Sequence, residues 1–136
     1  MAAVRDELRR IAHGIHSVTL AEGGLAEAVL DLIQATGGGV TVQALPEQRA
    51  SEATEAAVYR LVAASLHLRT EAGIRVAIHA GDDKLHAVIH VSGVTPAALD
   101  DALAHAGARV AALGGSLGVA AEDGGATARA RVPATP

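Results

Sequence analysis

The chain has 136 residues, enough for one hydrophobic core and short of two. Half of them are apolar, yet Tyr59 is the single aromatic and there is no cysteine, so the core is built from Ala, Val, Leu and Ile without disulfides or thiolate metal sites. A net charge of −4 with no Lys/Arg cluster argues against a nucleic-acid or anionic-membrane surface, and no run approaches the ~18 apolar residues of a bilayer span.

The first ten residues alternate charges at Arg5, Asp6, Glu7, Arg9 and Arg10, unlike a signal-peptide core, so a soluble, cytoplasmic domain is expected. Leu8, Ile11, Ile15 and Val18 recur at three- and four-residue steps, the spacing of one helical face, with Gly14 weakening the run. Gly23-Gly24 punctuates the chain before a second helix marked by Leu25, Val29, Leu30 and Ile33, which Gly37-Gly38-Gly39 ends. Val40, Val42 and Leu45 form a short strand closed by Pro46. Ser51 is a helix N-cap, with Glu52 and Glu55 in the first turn, where negative charge is favoured. That helix buries Val58, Leu61, Val62, Ser65 and Leu66 and runs to about Thr70.

After Gly73 the period changes to two. Residues 74–79 and 85–91 flank Gly81-Asp82-Asp83-Lys84 as a hairpin. With Asp82 and Asp83 at its centre, His79 faces His86 and Arg75 faces His90, on the side away from Val76, Ile78 and Ile89. Thr95-Pro96 starts a helix with the stripe Leu99, Leu103, Ala106, Val110 and Leu113, stopped by Gly114-Gly115. A last hairpin pairs residues 117–121 with 127–132, Ala128, Ala130 and Val132 facing in and Arg129 and Arg131 out. The order α-α-β-α-β-β-α-β-β predicts an α+β fold: a two-layer sandwich with helices on one face of a mixed five-stranded sheet, preceded by an N-terminal helix.

Three strings carry a resemblance. They are Glu7-Leu-Arg-Arg-Ile-Ala-His-Gly-Ile-His16 with Leu20 and Gly24-Leu25; Ala57-Val-Tyr-Arg-Leu-Val62; and Arg109-Val-Ala-Ala-Leu-Gly-Gly-Ser-Leu117 with Gly124-Gly125-Ala-Thr127 and a closing Arg-Val-Pro. Together they resemble the C-terminal part of two-component sensor histidine kinases, in the subgroup that pairs with LuxR-type response regulators. The resemblance implies a Bergerat-like ATPase fold, with residues 1–22 a remnant of the dimerisation helix and its linker and 23–136 the ATPase domain. In that family an N-box glutamate assists phosphoryl transfer and an asparagine one turn later holds magnesium. Here those positions fall on Ala64 and Leu68. The family's Asp-x-Gly-x-Gly box becomes Val91-Ser-Gly-Val-Thr95: Gly93 remains, Val91 replaces the adenine-binding aspartate and Thr95 the second glycine. Ala102 and His105 stand where phosphate-cradling glycines would fall, and Pro96 opens a helix where a lid would run. No asparagine occurs anywhere in the chain.

These replacements imply a catalytically inactive histidine-kinase-like ATPase domain, with no ATP or magnesium cofactor. Its expected role is as a protein-interaction or dimerisation module, partnered by a kinase, a response regulator or a second copy through Leu8, Ile11 and Ile15. One alternative is an ATP- and magnesium-binding catalytic fragment of a sensor kinase. Another is an apolar small-molecule binder in the vacated pocket between residues 51–70 and 96–113, lined by Ala64, Leu68, Val91, Gly93 and Val94. His79 and His86 suit zinc, nickel or copper, but no third ligand is evident. With Ala77, Val88 and His90 they read instead as a docking surface that gains charge near pH ~6. His13 and His16 read as helix-surface histidines. The Gly37–Gly39 run follows a helix, the reverse of a phosphate loop, and Ser65, Ser92 and Ser116 lack patterned nucleophile partners.

Overall fold

A computed structural model describes residues 18–36, 38–68 and 73–135. The elements are α1 (Val18–Thr36), β1 (Val40–Ala44), α2 (Glu52–Leu66), β2 (Ile74–Gly81), β3 (Lys84–Ser92), α3 (Pro96–Ala102), α4 (Ala104–Ala112), β4 (Ser116–Glu122) and β5 (Gly125–Pro133). The strands form one mixed sheet in the order β1-β2-β3-β5-β4, with β1 parallel to β2 and the other pairings antiparallel. This is the α+β, helix-on-sheet architecture that the hydrophobic periods predict.

Period-two alternation decides which face is covered. Ile74, Val76 and Ile78 on β2, Leu85, Ala87, Ile89 and Val91 on β3, and Ala126, Ala128, Ala130 and Val132 on β5 are all buried. Val58, Leu61 and Val62 of α2, Leu99 of α3 and Val110 of α4 join the same cluster, as do Leu25, Ala28 and Val29 of α1. The alanines of β5 let α3 and α4 approach closely, which is how a core almost free of aromatics reaches dense packing. Each fully buried Leu, Ile or Val contributes about 1.5–3 kcal/mol.

Both predicted hairpins form, the first turning at Asp82 and Asp83 as expected. Asp82 and Asp83 have φ of 55° and 58°, and Asp123 and Gly124 have φ of 47° and 73°, the two left-handed residues of a tight hairpin turn. The β2–β3 register pairs His79 with His86 and Arg75 with His90, as expected. The start of α2 is tied to the far end of the sheet. Ser51 Oγ accepts from Thr54 N at 3.2 Å, Thr54 Oγ1 donates to Pro133 O at 2.6 Å, and Ser51 N donates to Ala134 O at 2.8 Å.

Gly23-Gly24 punctuates the chain as expected: the helical stretches before and after it meet at a kink, where Gly24 has a non-helical φ of 86° and ψ of −179°. A Cβ there would come within 2.8 Å of the end of the Arg49 side chain, which would have to shift, and the left-handed φ is what requires glycine. The expected single helix from Pro96 is two helices, broken at Leu103 with φ −94° and ψ 4°. The break keeps Leu99, Leu103, Ala106 and Val110 all on the core. The N-terminal stripe of Leu8, Ile11 and Ile15 lies outside the described residues.

Candidate functional site

A groove of about 270 Å³ runs between α2 and α4. Each helix presents one face to it at three- and four-residue spacing. Arg60, Ala63, Ala64 and His67 come from the α2 side, and Ala102, His105, Ala106 and Arg109 from the α3–α4 side. A second hollow of about 190 Å³ continues past Ala56, Ala57 and Leu113, with Arg60 and Arg109 bordering both. Small alanines make the space, Arg60 and Arg109 give it positive charge, and His67 and His105 add imidazole donors and acceptors. An anion suits such a lining better than an apolar ligand.

Of the positions expected to form the vacated pocket, Ala64 lines this groove. Leu68 and Val94 are partly buried and pack on the core. Val91 is 0% exposed, in the interior. Gly93 keeps a left-handed φ of 78°, but its N–H donates to Gly124 O at 3.1 Å and so closes the sheet edge. Ala102 and His105 both reach the groove. Sequence reading missed Arg60, His67 and Arg109 as a set. Their spacing was visible on each helix; that the two helices face each other was not.

His79 is exposed and His86 half-buried on the open face of the sheet. Among the described residues no group of three His, Cys, Asp or Glu side chains is placed to hold a metal. His90 departs from expectation. Although it faces away from the helices it is 4% exposed, with Nδ1 2.8 Å from Thr127 Oγ1. Beyond the groove, Glu55 in the first turn of α2 is 2% exposed and accepts from Arg49 Nε and Nη2, both at 3.1 Å, and from Ala50 N at 3.2 Å. The hydrogen bond to Glu55, then its charge, raises the pKa of Arg49 above its ordinary value.

No protein-family model matches the chain, and no curated protein matches it in sequence. Solved structures do match in shape. The histidine kinase domain of the blue-light activated histidine kinase from Erythrobacter litoralis superposes with a TM-score of 0.59 at 14% identity, over 82% of this chain and 59% of that one. The Acinetobacter baumannii histidine kinase AdeS gives 0.60 at 14% identity, over 82% and 64%. The catalytic domain of histidine kinase ThkA gives 0.59 at 14%, over 84% and 94%. At that identity the likeness is one of fold: the chain is built like a histidine kinase catalytic domain. It spans less than two thirds of the first two structures and nearly all of the third. Among the described residues no helix is long and apolar enough to cross a membrane.

Proposed function

We propose that this chain is a histidine-kinase-like ATPase scaffold that does not turn over ATP and serves two-component-type signalling as an interaction or dimerisation module. In this reading residues 1–22 are the remnant of a dimerisation helix and 23–136 the degenerate ATPase domain. Its partner is a kinase, a response regulator or a second copy. The observation that carries the reading is the chemistry at three positions. Where the resembled family places an acid, an amide and an adenine-binding aspartate, this chain has Ala64, Leu68 and a fully buried Val91. None of these side chains can ligate a hard cation or move a proton. Because the chain has no asparagine at all, no shift of the alignment restores one.

One observation favours a second reading, a nucleotide-binding kinase fragment. The groove between α2 and α4 is cationic through Arg60 and Arg109, with His67 and His105 also lining it. The same lining weighs against the apolar-ligand reading. Thermal unfolding with and without millimolar Mg-ATP or ADP separates the first two. Binding at a hundred times Kd adds ~2.7 kcal/mol, a shift of several degrees for a domain of this size. The expected result is no shift. A clear shift, lost in Arg60→Ala or Arg109→Ala, would replace the proposal with the nucleotide-binding reading.

A further inference from the structure

His90 is a buried side chain on the open face of the sheet that the helix-side groove does not use. It pairs in register with Arg75 on β2 and Thr127 on β5. Thr127 takes its Nδ1; Nε2 is buried with no hydrogen-bond partner among the described residues. A buried ring nitrogen without a partner bears its full desolvation cost, and such groups in folded proteins commonly await one. Arg75 and Asp123 meet beside the ring, Nη2 to Oδ2 at 3.7 Å. Because β3 lies between β2 and the β4–β5 hairpin, this pair spans β3 at the level of His90. Two cavities, of about 370 and 190 Å³, share Arg75, His90 and Asp123 as walls. The larger continues to Thr41 and Ser92, the smaller to Gln43 and Val88.

We propose that this niche binds a small organic carboxylate, held by Arg75 and by the Nε2–H of His90. Nε2 is a donor in the tautomer whose Nδ1 accepts from the Thr127 hydroxyl, and equally in the charged ring whose Nδ1–H donates to Thr127 Oγ1; in both it requires an acceptor. Arg75 is the only cationic side chain lining either cavity among the described residues, and its planar donor fork matches a carboxylate. Its present partner is loosely held: 3.7 Å is beyond hydrogen-bond reach, and the two side chains are 45% and 68% exposed. A ligand carboxylate takes the place of Asp123 on Arg75 and gains the histidine donor that Asp123 does not reach. The other acid at the niche, Glu122, is occupied by Arg129 at 2.9 Å. The larger cavity has the size of a small-ligand site, roughly 300–1,000 Å³. The inference stands independently of nucleotide binding on the helix side.

The test follows the histidine ring resonances of the full chain by NMR during titration with malonate, against sodium chloride at matched ionic strength. His79 and His86, on the same face, are internal controls. The expected result is a saturable shift confined to the His90 ring resonances. Arg75→Gln should abolish saturation. Asp123→Asn, which tolerates the left-handed φ of 47°, should tighten binding several-fold by removing the competing carboxylate. A His90 shift that only follows the salt control, saturation that survives Arg75→Gln, or weaker binding in Asp123→Asn would each overturn the proposal.

Discussion

Glu55 enters the interior because its carboxylate is satisfied there, by a guanidinium that remains half in water and by the Ala50 N–H. Glu55→Ala leaves the Ala50 N–H without its acceptor, returns the Arg49 guanidinium to water and removes a negative charge from the first turn of α2. It should cost about 1–3 kcal/mol, read as a lower urea midpoint at constant m. Val91 poses the opposite case. Restoring an aspartate at this position buries a carboxylate among apolar side chains, so Val91→Asp should lower Tm sharply and give no nucleotide-induced shift. A variant that folds normally and responds to Mg-ATP would show that the box lacks only its acid. Gly125 is fixed by space: a Cβ on it would overlap the Val91 carbonyl oxygen. Gly125→Ala therefore has to push β5 away from β3, and loss of β3–β5 amide protection in hydrogen exchange would report it. At this scale the sequence was partly legible. Ser51 announced itself as a cap by residue type and position. Arg49 did not, because it sits in a loop and meets Glu55 only once α2 is docked, and Thr127 gave no sign that it would orient His90.

Elements were legible where one short-range rule decides them. The β2–β3 register follows from strict alternation plus a two-residue turn, and the structure reproduces it pair by pair from Ile74–Val91 to Gly81–Lys84. That turn is improvable, since Asp82 and Asp83 both hold left-handed φ, where a side chain is strained. Asp83→Gly gives the favoured Asp-Gly pair and should raise stability by up to about 1 kcal/mol, seen as a higher urea midpoint. The Asp83 carbonyl that accepts from Ala134 N at 2.8 Å is kept in that variant. Pairings between elements distant in sequence were not legible. Nothing local says that β1 lies parallel to β2, or that β5 is inserted between β3 and β4. The break at Leu103 was hidden for a related reason: an apolar stripe at three- and four-residue steps is compatible with one straight helix or two bent ones, and only the shape of the sheet beneath selects between them. The groove chemistry falls in the same class, because each of its two faces is readable alone but their meeting is a tertiary fact.

For the whole molecule, the proposal turns on whether the Leu8, Ile11 and Ile15 stripe covers its own domain or a second copy. A short helix with one apolar stripe is marginal in water and gains its stability from what the stripe buries. If it pairs with another copy, folding and association are linked, and the unfolding midpoint rises with protein concentration. If it packs on its own domain, the midpoint is independent of concentration. The dimerisation reading predicts a dimer mass by light scattering and a concentration-dependent Tm. It further predicts that Ile11→Asp combined with Ile15→Asp gives a monomer whose Tm no longer depends on concentration. In that reading the variant keeps its fold on the core that Leu25, Val58, Ile74, Ile89 and Val110 form among the described residues. A wild-type monomer mass with a flat Tm would remove self-association from the proposal, leaving a kinase or response regulator as the partner. A double variant that unfolds outright at every concentration would show the stripe to be part of the domain's own core.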